Sequence, residues 1–122
     1  MLFRSIDSMN VDNKLDLSPG DQILDFIHIE DVVSFYIHLI ENFSKIPNQS
    51  NFNLGTGKGH SLKQIASLLE IISNKKTNIN WGGKDYRKSD IMYAVANLEH
   101  INKIFDWKPK ISLEEGLSKM IK

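Results

Sequence analysis

The sequence predicts a mixed α+β domain of the α/β class, in which helices pack on a few short strands. Apolar residues recur at helical spacing in three stretches of the 122-residue chain, namely 30–43, 62–72 and 98–105. Short runs of strand-forming residues, bounded by turn residues, stand between these stretches. A chain of this length can bury one hydrophobic core, so we expect a single domain over residues 1–122.

Charge and cysteine content exclude several classes of protein. Fifteen basic residues balance fifteen acidic ones, so no broad electrostatic field favours nucleic acid or an anionic membrane. The sequence has no cysteine, which excludes disulfides, zinc thiolate sites and a cysteine nucleophile. No apolar run is long enough to span a membrane. We therefore expect a cytoplasmic protein without nucleic-acid or membrane partners.

The first part of the chain is predicted to contain two helices and two strands. Residues 2–9 and 30–43 have the apolar spacing of helices, and residues 14–17 and 22–29 have the composition of strands. A turn at residues 18–21 separates the two strands. The apolar stripe predicted for the second helix consists of Val32, Tyr36, Leu39, Ile40 and Phe43.

The rest of the chain continues this alternation of strands and helices. Residues 51–54 and 77–81 are predicted strands, the second of them at a sheet edge. Ser61, Asn97 and Ser112 are suitable N-caps for three further helices. The buried face of the helix after Ser61 is predicted to consist of Leu62, Ile65, Ala66, Leu69 and Ile72.

A glycine-rich segment, Gly55-Thr56-Gly57-Lys58-Gly59, follows a predicted strand and precedes a predicted helix. Backbone N–H groups at such a position can cradle a phosphate. The spacing does not match a P-loop, and it does not match the dinucleotide fingerprint, which needs glycines at positions one, three and six. We favour a tight structural turn, and a phosphate loop is the alternative.

Arg87-Lys88-Ser89-Asp90 places an arginine three residues before a carboxylate. The guanidinium can hold a diphosphate through two parallel hydrogen bonds, and the carboxylate can accept from a sugar hydroxyl. The alternative, which spacing alone favours, is a solvated surface pair worth at most about 1 kcal/mol. No metal site is predicted, because no two histidines stand at i, i+4 on one helix; they are His28, His38, His60 and His100.

Four segments resemble, in the same order, motifs of the extended short-chain dehydrogenases/reductases. This family includes UDP-galactose epimerase, the nucleotide-sugar dehydratases and the deoxysugar reductases or synthases. The resemblance runs from about Leu2 to Leu117, and it is to the final third of a longer enzyme. The four segments are Asp25-Phe26-Ile27-His28-Ile29-Glu30-Asp31-Val32-Val33, Phe52-Asn53-Leu54-Gly55-Thr56-Gly57, Arg87-x-x-Asp90, and Asp106-Trp107-Lys108-Pro109 with Ser112-Leu113-Glu114-Glu115-Gly116-Leu117.

The resemblance implies the C-terminal substrate-binding lobe of an NAD-dependent nucleotide-sugar epimerase/dehydratase. It implies that Arg87 binds a substrate phosphate, that Asp90 bonds the ribose and that Phe26 lies beside the nucleotide. A nucleoside-diphosphate sugar is the implied partner, and NAD or NADP is the implied cofactor of the intact parent. Two positions depart from the family pattern, because Leu24 stands where arginine is usual and Ser89 stands where glycine is usual.

Two motifs of the family do not occur within these 122 residues. There is no Gly-x-x-Gly-x-x-Gly motif for the cofactor, and there is no Tyr-x-x-x-Lys pair for acid/base chemistry. The resemblance therefore implies no catalytic and no cofactor-binding residues in this chain, and we expect the isolated chain to have no turnover. The alternative is a non-catalytic module that binds a nucleotide sugar or forms oligomers.

The resemblance also predicts self-association. In the family, the segments that correspond to residues 30–43 and 51–54 pack on the remainder of the enzyme. We therefore expect their apolar faces to be exposed in this chain. Large exposed apolar patches favour association, so a homo-oligomer is expected.

Overall fold

The computed structural model describes residues 14–121, which form five short strands and four α-helices. The strands are β1 (Leu15–Leu17), β2 (Ile23–Asp25), β3 (Gly59–Ser61), β4 (Ile79–Trp81) and β5 (Tyr93–Ala94). The helices are α1 (Ile29–Glu41), α2 (Leu62–Ser73), α3 (Glu99–Ile104) and α4 (Leu113–Met120), and a 3-10 turn (Phe43–Lys45) follows α1. None of the helices in this part of the chain is long and apolar enough to cross a membrane.

The strands form two small sheets, and each pairing joins segments that are distant in sequence. In the first sheet β1 lies parallel to β4, with Leu15 opposite Ile79. The strand order of the second sheet is β3-β2-β5, in which β3 runs antiparallel and β5 runs parallel to β2. Asp25 pairs with Gly59 in this register, so the end of β2 lies beside the start of β3.

One apolar cluster joins α1 to α3 and the segment that follows α3. Phe35 of α1 packs edge-on against Trp107 and Phe105, with ring centroids 5.0 and 5.8 Å apart, and Ile101 is 1% exposed beside them. The indole N–H of Trp107 donates to the Ser34 hydroxyl at 3.1 Å. The buried indole therefore keeps a partner for its polar atom.

A second apolar cluster joins α2 to α4. It consists of Ile65, Leu69 and Leu117, and Phe26 packs beside it. Leu69 is fully buried, and Ile65 and Leu117 are nearly so. The buried face predicted for the helix after Ser61 is confirmed at Ile65 and Leu69. This cluster fixes α4 in a position where its first turn faces the loop before β3.

Serine residues begin α2 and α4, as predicted. The Ser61 hydroxyl accepts from the Gln64 backbone N–H at 3.1 Å, and the Gln64 side chain accepts from the Ser61 N–H at 2.7 Å. The Ser112 hydroxyl accepts from the backbone N–H three residues later in α4.

Glu70, near the end of α2, accepts hydrogen bonds from the side chain and the backbone N–H of Thr77, which lies beyond the helix. These bonds hold the pKa of Glu70 below its ordinary value.

A buried carboxylate joins α1 to the segment before α4. Asp31 is 3% exposed, and it accepts hydrogen bonds from the backbone N–H groups of Lys110 and Ile111, each at 2.9 Å. The carboxylate of Asp31, in the first turn of α1, also complements the positive end of the helix dipole.

An exposed ion pair joins α4 to the first turn of α1. Lys119 pairs with Glu30 at 3.0 Å, and the hydrogen bond to Glu30 raises the pKa of Lys119.

The helix predicted over residues 30–43 is present as α1, but the apolar stripe predicted for it is wrong at three of its five residues. Tyr36, Ile40 and Phe43 are 60%, 71% and 72% exposed, and Asp31 and Phe35 are the buried residues instead. The reason is that α1 carries apolar side chains around most of its circumference. Helical spacing alone therefore does not decide which face packs on the core.

Two predicted strands also differ from the structure. The strand predicted over residues 22–29 is shorter, because β2 ends at Asp25 and α1 begins at Ile29. Residues 51–54 form no strand, and no strand among the described residues pairs with them. A strand needs a neighbour to satisfy its backbone groups, so the sequence preference is not realised there. The helix predicted over residues 2–9 lies outside the described residues.

Replacing Asp31 with asparagine is expected to lower the free energy of unfolding by about 2–3 kcal/mol, because two backbone N–H groups lose an ionised acceptor. Urea unfolding followed by circular dichroism measures this loss. The neighbouring variant Glu30→Gln is the matched control, and it should cost less than about 1 kcal/mol because its ion pair is exposed. Equal losses for both variants would contradict the role of Asp31.

Candidate functional site

The loop at Gly55–Gly59 is organised around a carboxylate from the same chain. Asp25, the last residue of β2, accepts hydrogen bonds from the backbone N–H groups of Thr56 at 2.9 Å and Gly57 at 2.8 Å. The Thr56 hydroxyl donates to the same carboxylate, and the Ala96 N–H donates to it at 3.2 Å. The N–H groups that a phosphate would need are therefore occupied by Asp25.

The close approach of this carboxylate explains the glycine at position 55. A Cβ atom there would lie 2.5 Å from Asp25 Oδ2 and 2.5 Å from the Ala96 Cβ. Gly57 has a φ of +73°, in the left-handed region that favours glycine. Both glycines meet requirements of the turn itself. These contacts support the structural turn over the phosphate loop.

Arg87 and Asp90 lie in one turn of the connection between β4 and β5. Asp90 Oδ2 accepts from the Arg87 backbone N–H at 2.9 Å, and the Asp90 N–H donates to the Arg87 carbonyl at 3.0 Å. These two bonds hold the residues side by side. The Arg87 side chain is exposed, and it makes no ion pair with another residue in the range 14–121. The guanidinium and the second oxygen of Asp90 are therefore available to a ligand.

Phe26 lies in a different feature, a surface cavity of about 480 Å³. Small-molecule sites usually have volumes of about 300–1,000 Å³. The cavity lies between the loop before β3, helix α3 and the segment that leads into α4. Its apolar wall includes Phe26, Leu98, Ile101 and Trp107, and its basic residues are Lys58, His60, Lys108 and Lys110.

The three candidate residues from the sequence do not all line one cavity. Arg87 and Asp90 are brought together, but neither lies in the cavity wall with Phe26. Ile23 pairs with Tyr93, so the Arg87 turn, which precedes β5, lies toward the start of β2. Phe26 follows the end of β2. The Cα atoms at the two ends of this three-residue strand are separated by roughly 7 Å.

Sequence reasoning missed the basic residues around this cavity as a group. Lys58 and His60 come from the loop before β3 and from β3 itself, whereas Lys108 and Lys110 precede α4. Their juxtaposition depends on contacts between segments that are distant in sequence, which no local pattern predicts. The only sequence signal was the lysine within the glycine-rich segment.

The described residues do not fit a dinucleotide or a metal ion. The glycine-rich turn between β2 and β3 uses its N–H groups on Asp25, so it offers no pyrophosphate cradle. No group of three histidine, aspartate or glutamate side chains between residues 14 and 121 could hold a metal ion.

Comparison with known sequences relates the chain to one family of enzymes. Residues 1–55 match the model of the NAD dependent epimerase/dehydratase family. The chain is 32% identical over 105 residues to CDP-abequose synthase of Salmonella typhimurium, which corresponds to 84% of this chain and 35% of that protein. It is 34% identical over 103 residues to CDP-paratose 2-epimerase of Salmonella typhi, covering 83% of this chain and 30% of that protein.

The fold is also similar to those of solved epimerases. UDP-glucose 4-epimerase of Thermotoga maritima, solved with UDP-glucose, superposes with a TM-score of 0.83 at 25% identity, over 98% of this chain and 37% of that one. UDP-glucuronic acid 4-epimerase of Bacillus cereus, solved in complex with NAD, gives a TM-score of 0.76 at 25% identity, over 96% of this chain and 34% of that one. These similarities confirm the predicted mixed α/β fold.

The chain is related to the NAD dependent epimerase/dehydratase family, and it corresponds to one part of such a protein. It spans only about a third of the length of the relatives that it matches. The resemblance noted in the sequence is thereby confirmed.

Replacing Asp25 with alanine is expected to lower the free energy of unfolding by about 2–4 kcal/mol, because three backbone N–H groups lose an ionised acceptor. Sodium formate should restore part of this loss, since its carboxylate can occupy the vacated position. The measurement is the melting temperature with increasing formate.

The controls for this experiment are sodium chloride at the same ionic strength and the wild-type chain in formate. A variant that gains no more stability from formate than the wild type would contradict the assignment of the loop as an internal anion site.

Proposed function

We propose that this chain binds a nucleoside-diphosphate sugar, as one portion of an NAD(P)-dependent epimerase, dehydratase or reductase. The observation that carries the proposal is the turn in which Arg87 and Asp90 stand side by side with their ligand-binding groups available. A diphosphate next to a ribose presents the two groups that such a pair recognises, a bidentate anion and adjacent hydroxyls.

The turn is suited to this ligand because its geometry is fixed by the backbone. One oxygen of Asp90 is held by the Arg87 N–H, which leaves the other oxygen as an acceptor for a ribose hydroxyl. The guanidinium fork matches two phosphate oxygens. Because the carboxylate is already ordered, binding costs less conformational entropy than it would for two free side chains.

Phe26 contributes to this proposal as the contact beside the nucleotide. It follows β2 at the end opposite to the Arg87 turn, and a nucleoside diphosphate is long enough to reach both ends of this short strand. The similar Thermotoga maritima enzyme was solved with UDP-glucose, which supports this class of ligand. Relatives named for CDP-sugars and for UDP-sugars match the chain, so the base is left open.

We further propose that the 122-residue chain is catalytically incomplete. Its sequence contains neither the glycine motif nor the Tyr-x-x-x-Lys pair of the family that it resembles. NAD or NADP is then a cofactor of the intact parent and is held by residues outside this chain. The alternative is a non-catalytic module for nucleotide-sugar binding or oligomerisation. The cytoplasmic location expected from the sequence remains part of the proposal.

Titration of UDP-, dTDP-, CDP- and GDP-sugars by calorimetry is expected to show saturable binding of at least one, without conversion in the presence of NAD(H). The variant Arg87→Ala should weaken this binding about tenfold or more, because a charge-assisted bidentate contact is lost. Lys88→Ala is the matched control in the same turn, and Arg87→Lys tests the fork separately from the charge.

Two outcomes would contradict these assignments. Binding of none of the four ligands, or equal losses for Arg87→Ala and Lys88→Ala, would remove the substrate-site proposal. Any NAD(H)-dependent conversion of a nucleotide sugar by the isolated chain would remove the proposal of catalytic incompleteness.

A stripe of exposed apolar residues on α1 supports self-association. Its members recur at helical spacing, and each is at least 51% exposed. An apolar patch of this kind on a helix favours burial against another surface. We propose that the chain forms homo-oligomers through this exposed α1 stripe, which consists of Ile29, Val33, Tyr36, Ile37 and Ile40.

Light scattering is expected to show a dimer or a higher oligomer at high protein concentration. The double variant Val33→Glu/Ile40→Glu should shift the chain to a monomer, because two buried charges would oppose the interface. Ile71→Glu on α2 is the matched control, since Ile71 is 75% exposed but lies outside the stripe. A monomeric wild-type chain at high concentration would contradict the proposal.

A further inference from the structure

The cavity beside Phe26 has a basic rim in a chain that carries no net charge. Lys58, Lys108 and Lys110 line it together with one acidic residue, Glu114, which gives a formal charge of +2 when His60 is neutral. None of the three lysines makes an ion pair with another residue in the described range. Three ammonium groups without protein partners around one cavity favour an anionic ligand.

Both sides of this rim are held in place by carboxylates that bind backbone groups. Asp25 accepts from the N–H groups of the loop that carries Lys58. Asp31 accepts from the N–H groups of Lys110 and of the residue after it. Each carboxylate thus fixes the backbone beneath a lysine and makes no ion pair with the ammonium group. The backbone that carries the rim is therefore preorganised, which lowers part of the entropic cost of binding.

The floor of the cavity is apolar and belongs to the core. Ile101 and Trp107, which are 1% and 7% exposed, lie below the rim, and Phe26 forms part of the wall. A floor that is fixed by core packing keeps its shape when a ligand enters. Apolar surface beneath a cationic rim matches a ligand with an aromatic body and an anionic end.

We infer that this cavity binds a small organic anion, in which a phosphate or diphosphate is attached to an aromatic or similarly apolar group. The phosphate contacts Lys58, Lys108 and Lys110, and the apolar group lies on Ile101 and Trp107. The inference shares Phe26 with the proposed function, because Phe26 forms part of the wall of this cavity. It goes beyond that function because its anion contacts are the three lysines, and it needs neither Arg87 nor Asp90.

The test uses the 122-residue chain and three probes, which are phenyl phosphate, inorganic phosphate and benzyl alcohol. Backbone amide NMR shifts are followed during each titration. Phenyl phosphate is expected to bind more tightly than either of the other probes, with saturable shifts at residues 56–60 and 107–114. Binding should weaken as salt is added, because the three lysines are exposed to solvent.

Variants assign the contacts of this site. The double variant Lys58→Gln/Lys110→Gln is expected to raise the dissociation constant of phenyl phosphate at least about tenfold, because two charge-assisted contacts are lost. Lys45→Gln is the matched control, since Lys45 does not line the cavity. Arg87→Ala should leave the constant unchanged, which separates this site from the one in the proposed function.

Three results would overturn the inference. The first is the absence of saturable shifts at residues 56–60 and 107–114. The second is equal affinity for inorganic phosphate and phenyl phosphate, which would mean that the apolar floor is not used. The third is a set of shifts confined to residues 87–90, which would place the ligand at the Arg87 turn alone.

Discussion

The carboxylate of Asp25 is the interaction on which the β3-β2-β5 sheet depends. It ends β2, it holds the N–H groups of Thr56 and Gly57 before β3, and it accepts from Ala96 after β5. Hydrogen bonds to a charged acceptor are stronger than those between neutral groups. One side chain therefore holds all three strands together at the same end of the sheet. The glycine at position 55 follows from this arrangement, because a side chain there would collide with the carboxylate.

This constraint also organises the rest of the described structure. The loop fixed by Asp25 leads directly into β3 and α2, and α2 carries α4 through the cluster around Leu69 and Leu117. The first turn of α4 therefore faces the loop that Asp25 holds. Asp31 repeats the same device at a second place, where it joins α1 to the segment before α4. The two carboxylates thus hold backbone segments that line the cavity beside Phe26.

Helix α1 packs on the core through only one of its apolar sides. One side of α1 packs Phe35 against Phe105 and Trp107, and the other side leaves Ile29, Val33 and Ile40 exposed. A helix that is apolar around most of its circumference is normally buried on both sides. The exposed side of α1 is therefore the surface of the described structure that departs most from this rule.

Local signals predicted the parts of the fold that rest on local interactions. The serine caps of α2 and α4 and the position of α1 could be predicted because side chains within one helical turn decide them. The exposed side of α1 and the absence of a strand at residues 51–54 could not be predicted in this way. Both depend on which other segment of the fold packs or pairs with them. The turn with Arg87 and Asp90 was found through a family motif. The basic cavity was missed, since Lys58 and Lys110 are distant in sequence and are brought to one cavity only by tertiary contacts.

The parallel pairings of the two sheets have a consequence for the order in which the chain folds. β1 pairs with β4 and β2 pairs with β5, so in each sheet an early strand must wait for a partner from much later in the sequence. Pairings between distant segments form slowly, because the loop between them loses entropy before any contact is gained. Until β5 is synthesised, β2 lacks its parallel partner and Asp25 lacks its donor at Ala96. The interval before β5 appears is therefore a period in which the growing chain is exposed to aggregation.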